Sequence, residues 1–70
     1  MLPLSLADVG TENTIKKIGG SPEVRTRLED LGFVVGGNVS VITAMAGNVI
    51  MNVKETRVAI SQEMARKIMV

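Results

Sequence analysis

The chain has 70 residues, enough for one domain with a single small core. It has no cysteine, histidine, tryptophan or tyrosine, which excludes disulfides, thiolate metal sites, histidine-based catalysis and an aromatic groove for proline-rich peptides. Eight basic and seven acidic residues give a net charge of +1, which leaves no electrostatic footprint for nucleic acid or an anionic membrane surface.

The N-terminal segment, Met1 to Gly10, is apolar and ends in a turn at Asp8-Val9-Gly10. Pro3 cannot donate to a strand ladder, so an edge strand or extended arm is expected there. There is neither a basic leader region nor a long apolar run after it, so no signal peptide is read. No stretch approaches the roughly 18 apolar residues of a membrane span. Thr14 to Ile18 reads as a strand. Its Ile15 and Ile18 are three apart, which breaks strict alternation and points to a bulge or strand end before Gly19-Gly20.

The central stretch, Ser21 to Gly37, carries the strongest signals. Ser21 is placed to accept from the free amides of a first helical turn, and Pro22 sits where a missing N–H costs nothing. Glu23 suits the positive end of the helix dipole. Val24, Leu28 and Leu31 recur on one face, which predicts a short helix over about residues 22–31 with those three turned inward. Arg25 and Arg27 fall mostly on the other side. Gly32 follows as a left-handed cap, and Phe33, the only aromatic residue, is placed to pack back onto Leu28. Val34-Val35 lead into a tight turn at Gly36-Gly37.

Asn38 to Ala44 alternates cleanly, with Val39, Val41 and Thr43 on one face. Met45 to Asn48 reads as a hairpin connection, with Gly47 and Asn48 suited to positive φ. Val49 to Val53 answers as the second strand, and Arg57 to Ile60 as a third after a polar turn. Ser61 caps a short C-terminal helix over about residues 62–68, with Met64, Ala65 and Ile68 inward. Met69-Val70 return toward the sheet. Five short strands with one inserted helix and one near the end predict a mostly β fold, a small closed or nearly closed barrel.

Several residue groups invite a chemical reading. Gly19-Gly20-Ser21 precede a helix, but no phosphate-loop pattern follows, so a strand-to-helix turn is the better reading. Glu29 and Asp30 are adjacent and do not converge on one ion, and Asp8 with Glu12 would make a weak, unselective site. Arg25, Arg27 and Arg57 carry no mark of an arginine finger and read as surface charges. What remains is contact surface. Leu2 and Met45 are apolar positions that folding does not demand, and Arg25 and Arg27 offer a second candidate face.

The pattern as a whole resembles the FeoA family of ferrous iron transport proteins, small domains with an SH3-like barrel. The likeness rests on Pro3-Leu4-Ser5-Leu6 with Gly10, on Ile15 and Ile18 before Gly20, and on Val35-Gly36 before the strand Val39 to Ile42. Its most specific part is Arg27-Leu28-x-Asp30-Leu31-Gly32 with Gly36 a few residues on. The resemblance implies a non-enzymatic cytoplasmic accessory of bacterial ferrous iron uptake, without direct membrane insertion. Its implied partner is FeoB, a membrane transporter with a GTP-binding domain. Transition-metal binding is a family term, and the absence of His and Cys argues against it here. The alternative is a detached regulatory module, since similar SH3-like domains end some metal-dependent repressors. No catalytic residues, metal ligands or cofactors are expected.

Overall fold

The computed structural model describes residues 1–70. Six strands and two helices follow one another: β1 (Glu12–Thr14), β2 (Lys17–Ile18), α1 (Pro22–Asp30), β3 (Asn38–Met45), β4 (Asn48–Val53), β5 (Thr56–Ser61), α2 (Gln62–Ala65) and β6 (Ile68–Met69). An antiparallel sheet has the order β1-β3-β4-β5, and β2 pairs antiparallel with β6. The ladders do not close into one ring. The two sheets instead share a single core with Leu28 of α1 and with Phe33, giving a barrel-like SH3 architecture.

The N-terminal segment differs from the expected strand or arm. Leu2 exchanges two backbone hydrogen bonds with Val70, at 2.9 and 2.8 Å, and then Leu4–Leu6 form a 3-10 turn. That turn buries Leu4 and carries Leu6 outward. The expected strand over Thr14 to Ile18 is two strands in two sheets. Between them Ile15 donates to Gly37 and accepts from Gly36, both at 2.8 Å, while Lys16 donates to Met69. The chain thus turns a corner at Ile15, and this is why the isoleucine spacing is three.

Helix α1 starts as its residues dictate. The Ser21 hydroxyl accepts from the Val24 amide at 3.3 Å, with Pro22 in the first turn. It stops one residue earlier than expected, at Asp30, with Leu31 as the cap residue. Gly32 has φ +108°, its amide donates to Glu29 at 2.9 Å, and the Phe33 amide donates to Leu28 at 3.0 Å. These are the paired bonds of a Schellman motif. Leu28 and Phe33 are fully buried, but Leu31 is 40% exposed and is no part of the inward face. A cap residue lies at the rim of the helix, and the chain reversal at Gly32 spends the inward position on Phe33 instead.

In β3 the register shifts between Val41 and Thr43, leaving Ile42 unpaired. The extra residue is a bulge. It turns Thr43 away from the face that Val39 and Val41 bury, contrary to the alternation. Met45 pairs with Asn48, so the hairpin turn is Ala46-Gly47, with φ of 52° and 81°, rather than Gly47-Asn48. The β4–β5 turn, Lys54-Glu55, has both φ values positive as well. The C-terminal helix is shorter than the expected 62–68. Ser61 caps it by accepting from the Met64 amide at 3.2 Å, but it ends at Ala65. Ile68 is buried from strand β6, which β2 holds in place.

All buried residues are apolar, and no polar side chain is enclosed. Stability therefore rests on aliphatic packing around Phe33, without a buried hydrogen-bond network to satisfy.

Candidate functional site: an apolar end and a polar sheet face

Helix α2 gathers several of the candidate contact residues. The 3-10 turn at Leu4–Leu6 packs against it, and the Gln62 amide donates to Gly47 of the β3–β4 hairpin at 2.9 Å. The segment carrying Leu2 and the strand end carrying Met45 therefore meet at one end of the fold. Leu2 is 43% and Met45 61% exposed. Arg27 reaches the same helix from the other side, where it shares a shallow concavity with Glu23, Val24 and Met64. Arg25 is exposed on α1 and lines no concavity.

Two further exposed apolar residues carry no signal of their own in the sequence, Leu6 on the turn beside α2 and Val9 beside β3. Leu6 is 72% exposed because the 3-10 turn rotates it out of the alternation expected of a strand. Val9 is 64% exposed; it bridges to Val41, and the neighbouring Gly10 amide donates to the Val41 carbonyl at 2.8 Å. The only hint in the sequence was Pro3, which makes a regular strand through Leu6 unfavourable.

The opposite character prevails on the outer face of the four-stranded sheet. There an open concavity of about 470 Å³ is lined by Glu12, Asn38, Ser40, Asn52, Lys54 and Glu55, with Val39 the one apolar contributor. No group of three or more His, Cys, Asp or Glu side chains is placed to hold a metal ion. A transition-metal site therefore does not fit the residues present. Glycines 36 and 47 take positive φ at open turns, where an added Cβ would meet nothing within 4 Å. At Gly20, φ +94°, an added Cβ would lie 2.7 Å from Lys67 Cδ and 3.3 Å from Val24, which is the close packing of a strand-to-helix turn.

The FeoA domain model matches residues 2–70. The chain belongs to the FeoA family. It is 37% identical over 70 residues to the "Putative Fe(2+) transport protein A" of Methanocaldococcus jannaschii, covering 100% of this chain and 85% of that one. The crystal structure of an iron uptake regulatory protein, FeoA, superimposes with a TM-score of 0.90 at 30% identity, covering 99% of this chain and 92% of that one. The FeoA of Stenotrophomonas maltophilia, solved with zinc and described as a prokaryotic SH3 domain protein, superimposes with a TM-score of 0.85. Its identity is 22% over 100% of this chain and 89% of that one, a likeness of fold. Within the FeoA family the Arg27-to-Gly32 block has a clear structural use here: it places Leu28 inward and reverses the chain at Gly32.

Proposed function

We infer that this FeoA-family chain is a non-enzymatic accessory of ferrous iron transport that works on the cytoplasmic side by docking on a FeoB-type membrane GTPase. The observation that carries the reading is the group of exposed apolar side chains carried by the segments that meet at α2, Leu2, Leu6 and Met45, on a fold whose core is complete without them. Neighbouring exposed apolar residues on a small protein are a mark of a contact surface. Arg27 at the edge of α2 supplies a polar neighbour of the kind that anchors interfaces. Iron is the cargo of the partner in this reading, and the accessory contributes contact area.

No helix of the chain is long and apolar enough to cross a membrane. In this reading the chain meets the membrane through its partner. The test is copurification with membranes that contain or lack the transporter. Recovery in the membrane fraction only with the transporter supports docking. Recovery with a soluble DNA-binding protein instead overturns it and favours the regulatory-module reading.

A further inference from the structure

Strand β5 ends the four-stranded sheet, and nothing in the chain pairs with its far side. The turn before it, Lys54-Glu55, joins Val53 directly to Thr56, which makes those two a hydrogen-bonded pair. Such pairs alternate along a ladder, so Thr56, Val58 and Ile60 direct their main-chain groups at β4. The rhythm holds one step past the strand, where the Gln62 amide donates to Gly47 at 2.9 Å. The N–H and C=O groups of Arg57 and Ala59 therefore point away from the sheet. Neither residue shares in any turn, loop or side-chain hydrogen bond, and both are exposed.

Natural sheets shield such an edge with a bulge, a proline, a charge or a very short strand. At the opposite edge β1 has only three residues and carries Glu12. Strand β5 has six residues in unbroken register with β4, with neither proline nor glycine and a single charge, Arg57. Its side chains sort by face. Glu12, Ser40, Asn52 and Arg57 stand opposite one another in turn across the outer face, where Ala59 also lies, opposite Ile50. Val58 and Ile60 turn inward, opposite the buried Met51 and Val49. Ile60 is buried as well, whereas Val58 packs on the core only in part, because no strand lies beyond it.

We propose that β5 pairs antiparallel with β5 of a second copy of this chain, joining two four-stranded sheets into one. Opposite residues in an antiparallel pair share a face, and they exchange bonds only where their main-chain groups meet. One register meets both conditions and uses every free group: Arg57 opposite the partner's Ala59, with Val58 opposite the partner's Val58 on the two-fold axis. A shift of the register one way sets Arg57 against the partner's Arg57, and the other way sets it against Ser61, the cap residue of α2. In the favoured register the small Ala59 leaves room for the Arg57 stem. The central pair is not hydrogen-bonded, which brings the two Val58 side chains closest and covers what the core leaves open. So narrow a strip lies below the ~1,200 Å² of a standard interface, and the dimer is weak, dissociating on the order of 0.1 mM. Pairing at β5 is separate from docking through the end around α2 and requires no transporter.

Sedimentation equilibrium of the full chain over a wide concentration range reads the association, and amide hydrogen exchange locates it. Wild type is expected to pass from monomer to dimer, with the Arg57 and Ala59 amides becoming protected as concentration rises. Ala59→Lys sets a cation opposite the partner's Arg57 and is expected to weaken the dimer roughly three- to tenfold. Ala59→Glu sets an anion there and is expected to strengthen it by a similar factor. Ala59 is exposed, so melting curves of both variants at low concentration should stay near wild type. A chain that is monomeric at every concentration overturns the proposal, as does a dimer in which those two amides exchange as they do in the monomer. Weakening by lysine and glutamate alike rules out the pairing of Arg57 with Ala59 and overturns it too. Protection of these amides by an extended segment of another protein, with the chain alone monomeric, overturns it in favour of a different occupant.

Discussion

The amide of Phe33 donates to the carbonyl of Leu28 at 3.0 Å, and the side chains of both residues are fully buried. One bond across the cap glycine thus joins the single buried residue of α1 to the only aromatic residue of the chain. Leu28→Ala is expected to cost ~2–5 kcal/mol, a large share of the stability of a domain this small. Leu31→Ala, at a cap position that is 40% exposed, is expected to cost clearly less, about 1 kcal/mol. Urea denaturation of the two variants separates them; equal midpoints would show the helix face to be placed wrongly.

Gly32 carries the chain reversal. Its φ of +108° disfavours any side chain, and an added Cβ would lie 3.3 Å from Val53 Cγ1. Gly32→Val is expected to be strongly destabilising, because a β-branched residue tolerates positive φ poorly. Gly32→Asn should be milder. Melting curves that coincide for the two would argue against the left-handed cap.

The hairpin turn at Ala46-Gly47 holds an alanine at φ 52°. Both central residues have positive φ, the arrangement of a type I′ turn, which favours Asn-Gly over Ala-Gly. Ala46→Asn should raise stability by about 1 kcal/mol by relieving that conformation. A lower melting temperature for Ala46→Asn would contradict the turn assignment.

Local signals proved easier to read than corners. Ser21, Pro22, Gly32 and Ser61 each act through the few residues beside them, so helix starts and the α1 cap follow from the sequence. The bulge at Ile42 and the corner at Ile15 depend on strands distant in the chain, and periodicity alone does not report them. For the same reason α2 was overextended: Ile68 has helical spacing, but pairing with Ile18 draws it into β6. The contact candidates were legible only as apolar residues without a folding task. Leu6 joins them through the 3-10 turn, and the polar row from Glu12 to Arg57 exists only once four strands are in register.

Iron offers a test of the chemistry. With neither His nor Cys, and no group of carboxylates placed around one point, the chain should bind Fe(II) no better than roughly millimolar. Anaerobic calorimetry measures this directly. A one-to-one micromolar site would require a carboxylate arrangement absent from this fold.

The central claim is that the chain acts by docking through the end around α2. Met45 is exposed at a strand terminus, and Arg27 lies on the open side of α1. Replacing either should leave folding nearly unchanged, whereas loss of an interface anchor typically costs more than ~1 kcal/mol of binding. The most direct measurement is a binding titration against membrane vesicles containing the full FeoB-type transporter, for wild type, Met45→Asp and Arg27→Glu, with a melting curve for each. Saturable binding by wild type, weakened in both variants at unchanged melting temperature, is the predicted result. Variants that bind like wild type would place the contact elsewhere, and wild type that fails to bind would contradict the claim itself.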